Sequence, residues 1–158
     1  MLREALTEAG ERFYSTLGFA AAILAGPIWV VWDTFAFAQY FTLEHGGEIA
    51  PALVSLGPFL NLLLWVAVAL TYFAAAAYTV SLARAGLLGR KGSLAYAVLN
   101  IVALSLVVIA IADHPSASDS ISWYIIPGFI LSVPALPLIM PALLGAVLLR
   151  RAGNEEGD

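Results

Sequence analysis

The sequence predicts an all-α integral membrane protein with four transmembrane helices, both termini in the cytoplasm and a proline-kinked fourth helix. Hydrophobic residues fill 61% of its 158 positions, charged residues fill 11%, and the mean hydropathy is +0.91, which is too apolar for an ordinary soluble domain. Apolar stretches recur along the chain, each near or above the ~20 residues that cross a bilayer. All seven Lys and Arg residues fall on one side of the resulting topology.

We predict a single four-helix membrane domain over residues 1–158. Its segments are an interfacial amphipathic helix at 1–16, transmembrane spans at 17–37, 53–83, 94–112 and 121–149, and a disordered tail at 152–158. The tail is short and acidic, which is typical of a solvated end. No appended domain and no repeat between the two helical pairs is recognisable.

The charge distribution sets the predicted orientation. The basic residues are Arg3, Arg12, Arg84, Arg90, Lys91, Arg150 and Arg151. The opposite side carries Glu44, Glu48, Asp113, Asp119 and both histidines, and no basic residue. By the positive-inside rule both termini are cytoplasmic, and we predict a bacterial or archaeal cytoplasmic membrane as the location. The acidic external face suits a basic partner, as electrostatic steering only.

The first predicted segment alternates apolar and charged residues at helical spacing. Leu2, Leu6, Ala9 and Phe13 fall on one face, between glutamates and arginines. This pattern is typical of a helix that lies on the cytoplasmic surface of the bilayer and leads into the first span.

Span one combines small residues with one acid. Gly18, Ala22 and Gly26 recur at intervals of four and form a packing seam that allows another helix to approach closely. Asp33 lies in the outer third of the span. It is either a charged residue near the headgroups or a buried functional carboxylate.

Span two carries the longest small-residue seam of the chain, which predicts the central packing helix. The seam residues are Ala67, Thr71, Ala75, Thr79 and Ala83. Asn61 in span two and Asn100 in span three are candidate polar residues. They suit hydrogen bonding between helices, or, together with Asp33, a site on an ion or solute path.

Span four is the unusual segment because prolines recur along one of its faces. They are Pro127, Pro134, Pro137 and Pro141. A proline inside a helix lacks an N–H and weakens the hydrogen bond of the carbonyl four residues back, here those of Trp123, Ile130, Val133 and Pro137. Within a bilayer such groups need other partners. We expect Asn and Ser side chains of spans two and three to supply them.

Several kinds of chemistry are missing from the sequence. The chain has no cysteine, no histidine within a span, and no recognisable hydrolase, nucleotide-binding or metalloprotease motif. Its basic residues are accounted for by topology, so we expect no nucleic-acid partner. Glu44, His45 and Glu48, with Asp113 and His114, could in principle hold a divalent ion. Without a repeated ligand spacing, ordinary loop polarity is the better interpretation.

These features favour a non-catalytic structural or accessory subunit of a larger membrane complex. Its expected partners are membrane lipids and other transmembrane subunits. The chain encodes no cofactor site of its own, although a bound lipid or pigment is compatible with the small-residue seams. The alternative is a small oligomeric ion or solute transporter or channel that uses Asp33 and the broken fourth helix. A membrane enzyme acting on lipid-like molecules through His45 and His114 is a third hypothesis.

Overall fold

The computed structural model describes residues 6–7, 10–112, 126–133 and 135–155, and the regular structure in these ranges is helical. The helices are α1 (Phe13–Glu44), α2 (Pro51–Arg84), α3 (Arg90–Ala112), α4 (Ile126–Leu131) and α5 (Ala135–Glu155). Helix α2 is central, because it packs against α1, α3 and α5, while α4 packs against α3. The first three helices follow one another in an antiparallel arrangement joined by short turns.

Helices α1, α2 and α3 are each long and apolar enough to cross a membrane, which agrees with a membrane protein. They contain 32, 34 and 23 residues and extend beyond the predicted spans 17–37, 53–83 and 94–112 at one or both ends. The difference arises because a helix continues past the hydrocarbon wherever its polar residues still favour helical backbone. The turn from 45 to 50 and the turn from 85 to 89 set where these helices end.

The fourth predicted span, 121–149, differs from the other three. Its described part is divided into α4 and α5, with a turn at Ser132 and a bend at Val133 between them. Of α5, the apolar stretch Pro137–Ala146 is all that could be compared with a span among the described residues, and it is shorter than one. Residues 121–125 and Pro134 lie outside the described ranges. A fourth membrane crossing and its proline kink therefore stay predictions.

The positions of the prolines within α4 and α5 explain why the hydrogen bonds of the carbonyls differ from the predicted ones. Pro127 and Pro137 fall in the first turns of α4 and α5, where a residue's N–H has no intrahelical acceptor to lose. Pro141 lies inside α5. The Ile130 carbonyl, expected to be free, accepts the Val133 N–H at 3.2 Å in the turn after α4. The Trp123 carbonyl lies outside the described residues.

The core combines large aromatic side chains with small residues on the neighbouring helices. Trp29 of α1 and Trp65 and Tyr72 of α2 are buried there. They share one cluster with Ala25, Ala67, Val68, Ala103, Val107 and Ala110. The small side chains leave room for the rings, and this packing holds α1, α2 and α3 together.

The N-terminal segment folds back onto the end of the helix bundle. Leu6 is completely buried and packs with Leu82 and Leu144. Gly10 follows at a φ of 85°, a left-handed conformation that favours glycine, and α1 begins at Phe13. Leu6 therefore lies in the protein interior, although the sequence predicts an interfacial helix over 1–16, of which residues 1–5 and 8–9 lie outside the described ranges.

The other terminus also differs from its prediction. Helix α5 continues to Glu155, into the tail predicted to be disordered over 152–158. Adding residues to an existing helix needs no new nucleation, so the helix can continue even through the weak helix formers Gly153 and Asn154. Residues 156–158 lie outside the described ranges.

Candidate functional site

An apolar cavity of about 360 Å³ lies between α1, α2 and α5. Each helix contributes residues from one short stretch: positions 22–29 of α1, 71–78 of α2 and 138–145 of α5. Seven residues of helix rise about 10 Å, so the cavity is a slot of roughly that length along the bundle. It is the candidate site that the three helices build together.

Small residues create this space. Ala22 and Gly26 on α1, Ala75 on α2 and Gly145 on α5 line the walls. A Cβ added at Gly26 or at Gly145 would meet no atom within 4 Å. Helix α5 packs against α2 and has no extensive contact with α1. Because Ala22 and Gly26 are also exposed, the cavity opens sideways between α1 and α5.

One end of the cavity is bordered by the indole of Trp29. Its Nε1–H donates a hydrogen bond to Thr71 Oγ1 at 3.0 Å. The Thr71 hydroxyl in turn donates to the Ala67 carbonyl oxygen at 2.8 Å. Both donors are therefore used within the protein, and this end of the cavity presents carbon to whatever enters it.

The opposite end is bordered by Tyr78 and Leu144. Tyr78 and Leu144 line the cavity and also belong to the cluster around the buried Leu6. The Tyr78 ring packs tightly against α1, since a Cβ at Gly18 would lie 3.0 Å from it. The cavity is thus bordered by Trp29 at one end and by Tyr78 and Leu144 at the other, and it is open at its side.

The two predicted packing seams occupy different environments. In the α1 seam, Gly18 is buried against α2, whereas Ala22 and Gly26 face the open cavity. The side of α1 that is buried carries Ser15, Gly18, Ala21, Ala25 and Trp29. In the α2 seam, Ala67, Thr71, Ala75 and Thr79 are buried and Ala83 is half-buried.

The three candidate polar residues lie on three different helices. Asp33 on α1 is half-buried, Asn61 on α2 is exposed and Asn100 on α3 is completely buried. Asn100 donates to the Tyr96 carbonyl of its own helix at 2.9 Å, and its Oδ1 has no hydrogen-bond partner. Within the described ranges, no hydrogen bond joins any two of the three.

The end of α4 is bound by the side chain of a residue that the sequence pattern does not mark as a candidate. The Tyr72 hydroxyl donates to the carbonyl oxygen of Leu131, the last residue of α4, at 3.2 Å. The expected donors behave differently, because Asn100, Ser93 and Ser105 all donate to carbonyls of their own helix. In the sequence Tyr72 is only one of several hydroxyl-bearing residues of span two, and nothing in the pattern distinguishes it from Thr71 or Thr79.

Helix α4 crosses α3 at very short range. A Cβ at Gly128 would lie 2.5 Å from the Leu106 carbonyl oxygen and 2.6 Å from the Ala110 Cβ. Only glycine allows this approach, so Gly128 fixes where α4 rests on α3.

A second surface is formed where α1 and α2 extend beyond the described part of α3, which ends at Ala112. The ion pair between Glu11 and Arg84 and the short turn from Arg84 to Arg90 bring one end of all three helices to the same level. The 9 to 11 additional residues of α1 and α2 therefore extend from the opposite end, by about 14 to 17 Å at 1.5 Å per residue. We call residues 36–59 the hairpin end.

The hairpin end is largely apolar and exposed. Its exposed large side chains include Phe37, Tyr40, Phe41, Val54, Leu56 and Phe59. At its tip His45 stacks on Phe41, and the His45 Nδ1 lies 2.9 Å from the Phe41 carbonyl oxygen. Among the described residues, no group of three His, Cys, Asp or Glu side chains is placed to hold a metal ion. Asp113 and His114 lie outside the described ranges.

Comparison of the chain with protein-family models, with characterised proteins and with solved structures gave no match.

Proposed function

We propose that the chain is a non-catalytic subunit of a larger membrane complex, inserted by four spans with both termini in the cytoplasm. In this proposal the hairpin end binds another transmembrane protein. The observation that carries the proposal is the exposed apolar surface of α1 and α2 beyond Ala112, where the described part of α3 ends. Contiguous apolar surface of this kind is typical of interaction sites.

The hydrocarbon layer of the bilayer is too thin to cover this whole surface. The described part of α3 is about 35 Å long, which already matches the ~30 Å of hydrocarbon plus part of a headgroup layer. With the Arg84 end at the cytoplasmic interface, the hairpin end extends through the external headgroups. Aromatic rings such as Tyr40 suit that depth. Aliphatic side chains such as Val54 and Leu56 do not, and they favour a protein partner.

The alternative of an ion or solute path has less support. A path through Asp33 needs several polar groups directed toward one wet channel. Asp33, Asn61 and Asn100 lie on separate helices and share no hydrogen bond within the described ranges. The cavity that α5 forms with α1 and α2 is lined by apolar and already hydrogen-bonded groups.

Site-specific photo-crosslinking in native membranes tests the proposal. A photoreactive amino acid is placed at Phe41 or Val54 in the hairpin end, with Leu94 of α3 as the matched control, because all three side chains are 59 to 66% exposed. We expect Phe41 and Val54 to crosslink to the same membrane protein and Leu94 to give no such product. Native electrophoresis in mild detergent should then show an assembly of fixed stoichiometry. A chain that migrates alone, without crosslinks from either hairpin position, would contradict the proposal.

A further inference from the structure

We propose that the cavity between α1, α2 and α5 is a binding site for one acyl chain of a membrane lipid, which enters sideways between α1 and α5. The site lies on the side of Trp29 that faces away from the hairpin end. It requires only that the helices lie in a bilayer and does not depend on the proposed partner protein.

The volume of the cavity is that of a small-ligand site. Ligand sites commonly measure about 300 to 1,000 Å³, and the cavity falls in that range at about 360 Å³. The stretches that α1, α2 and α5 contribute each extend about 10 Å along the bundle, so an extended segment of hydrocarbon chain fits along the slot.

The chemistry of the walls selects hydrocarbon. The indole N–H of Trp29 and the hydroxyl of Thr71 are both engaged in hydrogen bonds within the protein. A water molecule needs two to four polar partners, and apolar cavities of about 150 Å³ stay dry and accept small hydrocarbons. An empty space of more than that size would also forfeit the dispersion contacts of its lining, which an acyl chain restores.

The shape of the cavity selects a molecule from the bilayer. Trp29 borders one end, and Tyr78 and Leu144, which pack in the cluster of the buried Leu6, border the other. The remaining opening passes between α1 and α5, beside the exposed Ala22 and Gly26. In a membrane-embedded bundle this opening faces lipid tails, so an acyl chain can enter without crossing water.

Native mass spectrometry of the full chain, purified in mild detergent, tests this site. We expect the wild-type protein to retain one lipid, and the cavity-filling variants Gly26→Leu and Gly145→Leu to lose it. The control is Gly92→Leu, since a side chain at Gly92 also meets no atom within 4 Å, and Gly92 is on α3, which does not line the cavity. Thermal unfolding of each variant shows whether it is folded.

A measurement on the unaltered protein guards against variants that do not fold. Titration of delipidated wild-type protein with a phospholipid brominated in mid-chain should quench part of the tryptophan fluorescence and saturate at one lipid per chain, because Trp29 borders the site. Equal lipid retention in Gly26→Leu, Gly145→Leu and Gly92→Leu would overturn the proposal. So would a bound protein in place of a lipid, or the absence of both retention and saturable quenching in the wild type.

Discussion

The hydroxyl of Tyr72 in the middle of α2 donates a hydrogen bond to the carbonyl oxygen of Leu131, where α4 ends. The last carbonyls of a helix have no partner within that helix, and in apolar surroundings such a group needs a donor from elsewhere. Tyr72 is only 1% exposed, so water does not compete for the bond. The contact joins the central helix to the interruption between α4 and α5.

Replacing Tyr72 with phenylalanine removes this bond and keeps the ring. We expect Tyr72→Phe to lower the free energy of unfolding by about 1 to 2 kcal/mol, because the Leu131 carbonyl is left without its donor. Thermal or denaturant unfolding in detergent measures the change. Tyr40→Phe is the control, since Tyr40 is 64% exposed, and it should have no measurable effect. Equal stability of the two variants would show that the bond contributes nothing.

Gly128 gives a second test of how α4 is seated. Gly128→Ala places a methyl group against the Leu106 backbone, which cannot move as a flexible side chain would. We expect a loss of about 1 to 3 kcal/mol in the free energy of unfolding, typical of overpacking. Gly57→Ala is the control, because nothing lies within 4 Å of its added Cβ and alanine favours helix. Stability of Gly128→Ala at or above the wild-type value would mean that α4 does not cross α3 at this point.

The features that follow from periodicity and hydropathy could be predicted from the sequence. Three of the four predicted spans correspond to long apolar helices, because a run of about 20 apolar residues has few alternatives to a helix in a bilayer. The exact helix ends could not be predicted, since backbone can stay helical beyond the hydrocarbon. The extension of α1 to Glu44, which forms part of the hairpin end, follows from this.

The candidate site was predictable only in part. The spacing of Gly18, Ala22 and Gly26 marks close packing, but it does not tell which of them meets another helix and which lines a cavity. That depends on the rotation of α1 about its axis. The hydrogen bond from Trp29 of α1 to Thr71 of α2 fixes this rotation. The prolines along one face of span four predict a kink, but they do not identify the donor to α4. That donor is Tyr72, and a hydrogen bond between residues far apart in the chain leaves no local pattern in the sequence.

The ion pair of Glu11 and Arg84 anchors the N-terminal segment to the end of α2. Glu11 Oε2 lies 2.6 Å from Arg84 Nε, and the Glu11 side chain is buried although that of Arg84 is 62% exposed. We expect Arg84→Ala to destabilise the fold by about 1 to 2 kcal/mol, between the values typical of exposed and of buried pairs. Unfolding of Arg84→Ala, Glu11→Gln and the double variant gives the coupling energy. Lys91→Ala is the control. Additive effects of the two single substitutions would exclude a direct contribution of the pair.

Substitution of Asn100 tests whether its buried amide has a structural or a functional role. Its Oδ1 is buried without a hydrogen-bond partner, so the apolar variant Asn100→Leu should leave the free energy of unfolding unchanged or raise it by about 1 kcal/mol. The exposed amide of Asn61 provides the control variant Asn61→Leu. Thermal unfolding in detergent measures both. A clear loss of stability in Asn100→Leu would indicate a buried water or ligand bound to this amide.

The proposed orientation can be tested with single cysteines, because the chain contains none of its own. Glu48→Cys and Asp119→Cys should react with a membrane-impermeant maleimide added to intact cells, since the positive-inside rule places both positions outside. Lys91→Cys and Asp158→Cys should react only after the membrane is permeabilised. The comparison of Asp119→Cys with Asp158→Cys is decisive for a fourth crossing. Labelling of both in intact cells, or of neither, would mean that α4 and α5 enter the bundle without passing through the membrane.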